Sequence, residues 1–308
     1  MIAEQAIRHP RRRLRLPQSR RGTVALLELP SVLVVVAITL FPVLYSLNIS
    51  FRSFSLTLPG HTGQWVGLDN YIRLLTDSAF FHAVWLIAVF TVVGVTIELA
   101  LGLLIALVLD GLVTGRRLFT SLLLIPMILT PVVIGLMFNF VFNAQFGLFD
   151  YLIQALRIPL PHGILASSAT AFAALVGTDI WEWTPFMALV LLAGLQALPS
   201  EPFEAARVDG ASAWQTLRWI TLPMLRPLIA VAILFRSAEA IKEFDKVFLL
   251  TAGGPGNATE VVDLFTYHVA FMSWDLSYGA ALGMVLFTIS MLVGAGFFKL
   301  LASDVGTA

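Results

Sequence analysis

Six long apolar runs dominate the chain, at about residues 29–48, 81–109, 118–142, 169–195, 220–250 and 279–301. Each is near or above the roughly 20 residues that a helix needs to cross the hydrocarbon core of a bilayer. The pattern predicts an all-α integral membrane protein with six transmembrane helices. The polar connections are short, which leaves no room for a globular domain outside the membrane. Residues 66–75 read as a turn followed by a short amphipathic piece at the membrane interface, with Trp65 and Tyr71 at headgroup depth. Residues 147–156 offer a second such helix before the turn at Pro159-Leu160-Pro161. The run 220–250 ends in the turn Thr251-Ala252-Gly253-Gly254-Pro255-Gly256-Asn257, after which Thr259 is expected to cap a helix reaching Phe271. Pro126 and Pro131 in the third run and Pro185 in the fourth are expected to kink their helices.

Composition agrees with the pattern. The chain of 308 residues is 58% hydrophobic, has a mean hydropathy of +0.88 and is 12% charged, against roughly 25% charged in a soluble domain. Zero formal net charge argues against a nucleic-acid partner, and the lack of cysteine excludes disulfide and thiolate chemistry. The distribution of charge is more telling than its sum. Arg8, Arg11, Arg12, Arg13, Arg15, Arg20 and Arg21 face a single acid, Glu4, before the first run. Arg20-Arg21 before an apolar stretch resembles a twin-arginine export signal, but that stretch is long enough to span and shows no small-residue cleavage site. Six spans place both termini on one side. With the tail, Arg116, Arg117, Arg207, Arg218, Arg226 and Lys299, that side carries thirteen basic residues. The other carries five, Arg52, Arg73, Arg157, Lys242 and Lys246, with Arg236 inside a run. Because cytoplasmic loops are enriched in Lys and Arg, both ends are expected in the cytoplasm. The expected organisation is a basic tail at 1–24, a six-helix domain at 25–301 and a short tail at 302–308.

One polar segment interrupts the oil. Residues 199–222, expected on the cytoplasmic side, begin with Ser200 as a candidate N-cap, Pro202 in a first turn, and Glu201 and Glu204 near the positive end of a helix dipole. A short helix through Val208 follows. Gly210 permits a left-handed exit, and Ser212 with Gln215 three residues on forms a capping box that starts a second helix toward Pro223 and the fifth span. A surface helix rigidly continuous with a spanning helix can pass a push from a partner into the membrane.

Glu204-Ala205-Ala206, then Asp209-Gly210-Ala211 and later Leu222-Pro223, closely resemble the EAA motif of permease subunits of bacterial ABC importers. Val66-Gly67-Leu68-Asp69-Asn70-Tyr71 and Thr251-Ala252-Gly253-Gly254-Pro255-Gly256 are similar to the maltose- and glycerol-phosphate-type carbohydrate permeases of the MalF/UgpA branch. The resemblance runs from about Val24 to Leu301. It implies the type I importer (MetI-like) permease fold in a bacterial cytoplasmic membrane. It further implies a second homologous permease subunit, two copies of a cytoplasmic ATPase, and an extracytoplasmic substrate-binding protein. On the same basis Glu204 contacts the ATPase, Asp209 and Gly210 shape the bend, and Ala205, Ala206 and Ala211 permit close approach. Pro223 completes that motif set.

The chain itself offers no ATP site. Gly253-Gly254-Pro255-Gly256 is followed by Asn257-Ala258 and lacks the lysine and hydroxyl of a P-loop, so ATP and magnesium are expected on the partner and no cofactor on this chain. His9, His61, His82, His162 and His268 show no ligand spacing. No catalytic constellation is present, and the chain is not expected to be an enzyme. A substrate path is sought among polar residues inside the spans, which are costly against lipid. Asn139, Asn143, Asp179, Trp181, Glu182, Arg236, Glu239, Lys242 and Glu243 form the candidate set. Amides and carboxylates suit sugar hydroxyls, and an indole suits the apolar face of a pyranose. The competing expectation is that these charges neutralise one another at helix contacts. Glu98 is expected to bond the partner permease. Two other readings stand beside the carbohydrate one. A glycerol-3-phosphate or related anionic substrate would use Arg236 and Lys242. An ion-coupled secondary transporter would use Glu239 or Asp179 and is expected to show internal repeats.

Overall fold

The computed structural model describes residues 20–57, 60, 62–112, 114–157 and 163–305. Most of the arginine-rich tail, along with His9, His61, His162 and Pro159-Leu160-Pro161, lies outside them. Four helices are long and apolar enough to span without interruption: α1 (Arg20–Ser50), α3 (Ser78–Asp110), α7 (Ser168–Ala197) and α13 (Leu276–Val305). A fifth span is a composite of α9 (Ala213–Thr216), a wide helical turn over Leu217–Thr221, and α10 (Leu222–Ala240). The sixth is a broken pair, α4 (Arg116–Ile128) and α5 (Pro131–Val141), bent by 92°. The expected six apolar segments are all helical, but two of them are not straight rods.

The bend between α4 and α5 has an identifiable cause. Leu129 and Thr130 are extended, with ψ of 141° and 147°, as the residue before a proline prefers. Pro131 then opens α5 at a position where its missing N–H costs nothing. Pro185, by contrast, does not interrupt α7, which runs unbroken for 30 residues.

The fifth span departs most from expectation. The apolar run to Leu250 predicts one helix, but α10 stops at Ala240, and a separate α11 (Asp245–Leu250) follows after residues 241–244. α11 packs on α5. There the Asn139 amide donates to the carbonyls of Leu249 and Leu250 at 3.1 and 3.2 Å. Gly135 makes the approach possible, since a Cβ at that position would lie 2.9 Å from Leu249 Cβ.

The core is the parallel seam between α3 and α7, lined by Phe90, Leu175, Ala106, Ala188 and Leu191, all fully buried. Gly102 brings the two helices together, since a Cβ there would sit 2.5 Å from Met187 Cβ. α1 rests on α13 and leaves nearly all its apolar side chains exposed, as a lipid-facing helix does.

At the end of the bundle where α3 and α7 begin, short elements lock the connections. β1 (Arg52–Phe54) and β2 (Thr62–Trp65) form an antiparallel hairpin that the helical pattern did not predict. α2 (Asp69–Thr76), the expected amphipathic piece, is held by Asn70, whose amide donates to the carbonyls of Ser50 and Arg52. Arg73 pairs with Asp275 at 2.7 Å, and Tyr278 donates its hydroxyl to Asp77 at 2.6 Å. α6 (Leu148–Ala155) is the second expected short helix. Thr259 does not cap a helix. Its hydroxyl closes the glycine-rich turn onto the Gly254 carbonyl at 3.0 Å and the Thr251 hydroxyl at 2.7 Å, and α12 (Val262–Tyr267) starts later, continuing helically to Met272.

Candidate coupling and transport site

Two regions concentrate the polar chemistry. The first is the segment between α7 and α10. α8 (Glu201–Val208) has Pro202 in its first turn and two acids, Glu201 and Glu204, at its start. Ser200 does not cap it through its side chain; instead its carbonyl accepts from the Phe203 and Glu204 N–H groups at 3.0 Å each. Gly210 takes φ of +72° with nothing within 4 Å of a notional Cβ. The glycine is therefore demanded by backbone conformation and not by space. The Ala211 N–H returns to the Ala206 carbonyl at 2.9 Å, closing the helix end. The capping box is complete: Ser212 N–H donates to Gln215 Oε1 at 2.7 Å, and Gln215 N–H to Ser212 Oγ at 3.3 Å.

The result is two short helices at an angle, the second continuous with α10. Glu204, Ala205, Asp209 and Gly210 are exposed, Ala211 and Pro223 are half-buried, and Ala206 is buried. A cleft of about 600 Å³ opens between them, walled by Phe203, Arg207, Trp214 and Leu217, among others. Val208 is 87% exposed, and Trp214 and Trp219 are about two-thirds exposed. Large apolar side chains left bare at a helix tip mark an interaction surface.

The second region is a closed ionic network within the bundle. Arg236 on α10 donates to both oxygens of Glu98 on α3, at 2.8 and 3.0 Å, and to Asp179 Oδ2 on α7. Its guanidinium lies 4.7 Å from the Trp183 ring centroid, and Nη1 has no hydrogen-bond partner. Lys246 on α11 donates to Asp179 Oδ1 at 2.5 Å and Glu182 at 2.6 Å, and pairs with Glu243 at 3.0 Å. All six side chains are buried. Ions removed from water must be paired and hydrogen-bonded, and here each cation is held by at least two carboxylates. Glu98, expected to reach a partner subunit, is satisfied within its own chain by Arg236.

The sequence-derived substrate set therefore separates into three parts. Asp179, Glu182, Arg236 and Glu243 sit in the buried network; the spacing of Arg236, Glu239 and Glu243 by three and four would put them on one face of a continuous helix, but α10 ends at Ala240, before Glu243. Asn139 and Asn143 bond backbone: the former holds α11, the latter accepts from the Gln145 and Phe146 N–H groups. Trp181 and Lys242 remain exposed and Glu239 half-buried, Trp181 edge-on to Phe138 and Lys242 paired with Glu239 at 2.8 Å. The two local pairs allowed by spacing, Glu239 with Lys242 and Glu243 with Lys246, both form. Lys246 as the hub of a network was not foreseen. The available signal was balance: Glu98 and Arg236 each lie in an apolar run and each need an opposite charge.

Outside the spans, Asp263 on α12 has its carboxyl pushed up to about 6 by burial, which Lys242 opposes only in part. Its Oδ2 has no partner. His268 contacts Glu260 at 2.5 Å, and His82 contacts the Asn257 carbonyl at 3.3 Å.

The described residues form a multi-pass helical bundle with an exposed two-helix segment continuous with one span. Residues 98–306 match the family described as binding-protein-dependent transport system inner membrane component. The chain belongs to this family and is a permease subunit of an ABC importer. It is 36% identical over 286 residues to the probable ABC transporter permease protein y4oQ of Sinorhizobium fredii, covering 92% of this chain and 90% of that one. It is 34% identical to the trehalose/maltose transport system permease protein MalF of Thermococcus litoralis, over 86% of this chain and 88% of the other. A chain in the crystal structure of a bacterial ABC transporter that imports the acidic polysaccharide alginate superposes with a TM-score of 0.78 at 18% identity, covering 92% and 96% of the two chains. That likeness establishes the shared fold.

Proposed function

We propose that this permease moves a carbohydrate across the cytoplasmic membrane of a bacterium, with both termini and the segment 199–222 in the cytoplasm. The placement of thirteen basic residues against five supports that orientation. The complex would comprise this chain, a second homologous permease, two copies of an ATPase that binds ATP and magnesium, and an extracytoplasmic binding protein. Glu204, Ala205, Asp209 and Gly210 form the face that docks on the ATPase, backed by Ala206, Ala211 and Pro223.

The observation that carries this reading is the bend at Gly210, beyond which the backbone runs from Ala213 as unbroken helix into α10. A partner pressing on α8 meets a glycine-defined corner and a capped helix that leads straight into the membrane. Closure of the ATPases then favours one arrangement of the spans over another. The substrate path runs past Trp181, Glu239 and Lys242, while Asn139, Asn143, Asp179, Arg236 and Glu243 shape its wall, and Glu182 stays behind it on Lys246. The substrate is an uncharged sugar or polyol. Both buried cations are already held by carboxylates, which leaves an anionic headgroup such as glycerol 3-phosphate only Lys242, itself paired with Glu239.

The test is purification of the intact complex and a screen of sugars, polyols and glycerol 3-phosphate for stimulation of ATP hydrolysis. Stimulation by a neutral sugar through the binding protein is expected. Stimulation confined to glycerol 3-phosphate would overturn the substrate class, and uptake that persists without ATP but collapses with the ion gradient would overturn the coupling.

A further inference from the structure

Asp179 holds a place in the buried network that its neighbours do not share. Among the described residues it alone bonds cations on both sides of the break in the fifth span. Its Oδ2 accepts from Arg236 on α10, and its Oδ1 accepts from Lys246 on α11 at 2.5 Å. Arg236 sits on the helix that begins at the coupling segment, about 35 Å from Ala213 at about 1.5 Å of rise per residue. Between α10 and α11, residues 241–244 do not continue the helix, so main-chain hydrogen bonds do not carry an axial displacement across.

Beyond the break, α11 is fastened to α5 by the Asn139 amide and by the close approach at Gly135. α5 in turn is freed from α4 by the 92° bend. The structure thus contains a helix continuous with the coupling segment, a pair set off from α4 by a bend, and one carboxylate bonded to both α10 and α11. We infer that Asp179 is a positioning residue that transmits displacement of α10 to the α5–α11 pair, so that the coupling segment and this distant half of the transport path move together. The inference rests on the transport reading above.

The network supplies its own control. Glu182 is as buried as Asp179 and bonds the same Lys246 at 2.6 Å, but it does not reach Arg236. Four carboxylates, Glu98, Asp179, Glu182 and Glu243, face two cations. Asp179→Asn therefore strands neither cation: Arg236 keeps Glu98, and Lys246 keeps Glu182 and Glu243. The variant cuts the bridge and leaves each half paired. A second variant, Arg236→Lys, retains the positive charge but gives up the planar fork that serves Glu98 and Asp179 at once.

The chain has no cysteine, so spin labels can be placed at Ile38→Cys on the exposed face of α1 and Tyr151→Cys on α6, which follows α5. The distance between them is measured in the full complex, first without nucleotide and then after trapping with ATP and vanadate. The labelled parent is expected to show a nucleotide-driven shift. Asp179→Asn and Arg236→Lys lose it, and Glu182→Gln retains it. A shift preserved in Asp179→Asn, or lost equally in Glu182→Gln, overturns the relay and leaves the network a packing device. A labelled parent that shows no shift overturns the transport reading itself.

Discussion

The coupling segment and the ionic network are both polar insertions in an apolar protein, yet they are built on opposite terms. In the first, Glu204, Asp209 and Gly210 are exposed, and the shape comes from local bonds: a left-handed glycine and a capping box between residues three apart. In the second, every side chain is buried and, apart from the Glu243–Lys246 pair one turn apart, the bonds join residues far apart, as Arg236 to Glu98 over 138 positions and Lys246 to Asp179 over 67. The exposed region keeps its surface free for a partner, whereas the buried one directs its charges at one another inside the chain, with only Arg236 Nη1 left unbonded among its cationic nitrogens. Substitutions should accordingly affect function without stability in the one, and stability together with function in the other.

The largest effect is expected from Arg236→Met. It leaves Glu98 without its cation in the bundle interior, and breaking a buried pair from one side costs about 3–5 kcal/mol. Thermal unfolding of the purified complex should fall sharply; a melting curve unchanged from wild type would mean that the network contributes nothing to the fold. Next comes Gly210→Val. A left-handed backbone costs a side-chain-bearing residue about 1–2 kcal/mol, with more for a β-branched one. ATP-driven uptake should be lost while the rest of the bundle melts normally, and Gly210→Asn, which tolerates that conformation, should keep most of its uptake. Equal loss in both would show that the corner needs absence of a side chain and not merely its dihedral angle.

Asp263 offers a smaller, pH-dependent test. Its carboxyl is raised from 3.8 to about 6 in the folded chain, so the folded state holds the proton more tightly than the unfolded one. The stability it contributes is full below about pH 4 and is lost as pH rises through about 6. Asp263→Asn should match wild type in acid and be the more stable of the two at pH 7.5, read from melts at both pH values. A variant less stable than wild type at pH 7.5 would place a favourable partner on the ionised carboxylate. The smallest effect belongs to Glu239→Gln. The exposed pair with Lys242 is worth about 0–1 kcal/mol, so stability should hold, while the apparent affinity of transport for its sugar weakens if Glu239 lines the path. Unchanged transport kinetics would remove it from the path.

Much of this was legible from residue order. Spans follow from runs of apolar residues, the amphipathic α2 and α6 from their flanks, and the corner at Gly210 from spacing alone, because each rests on bonds within a few residues. The same local logic misled at three places. Thr259 has the chemistry of a cap but closes a turn, Ser200 lies before a helix but leaves its hydroxyl uncapping, and the run to Leu250 is apolar throughout yet breaks after Ala240. At the last of these, tertiary structure outweighs helix continuation, since the break lets Lys246 meet Asp179 and Glu182.

By itself the amino-acid sequence determined an all-helical membrane protein with a two-helix coupling segment, since hydrophobic length and capping chemistry act locally and are read without a fold. Only the tertiary structure decided which intramembrane charges face one another. A carboxylate in an apolar span requires a counter-charge, but its spacing along the chain does not say whether that charge lies one turn away or 138 residues later. Electrostatic pairing in a low-dielectric interior is set by distance through space, and that distance comes into being only when α3, α7, α10 and α11 have packed.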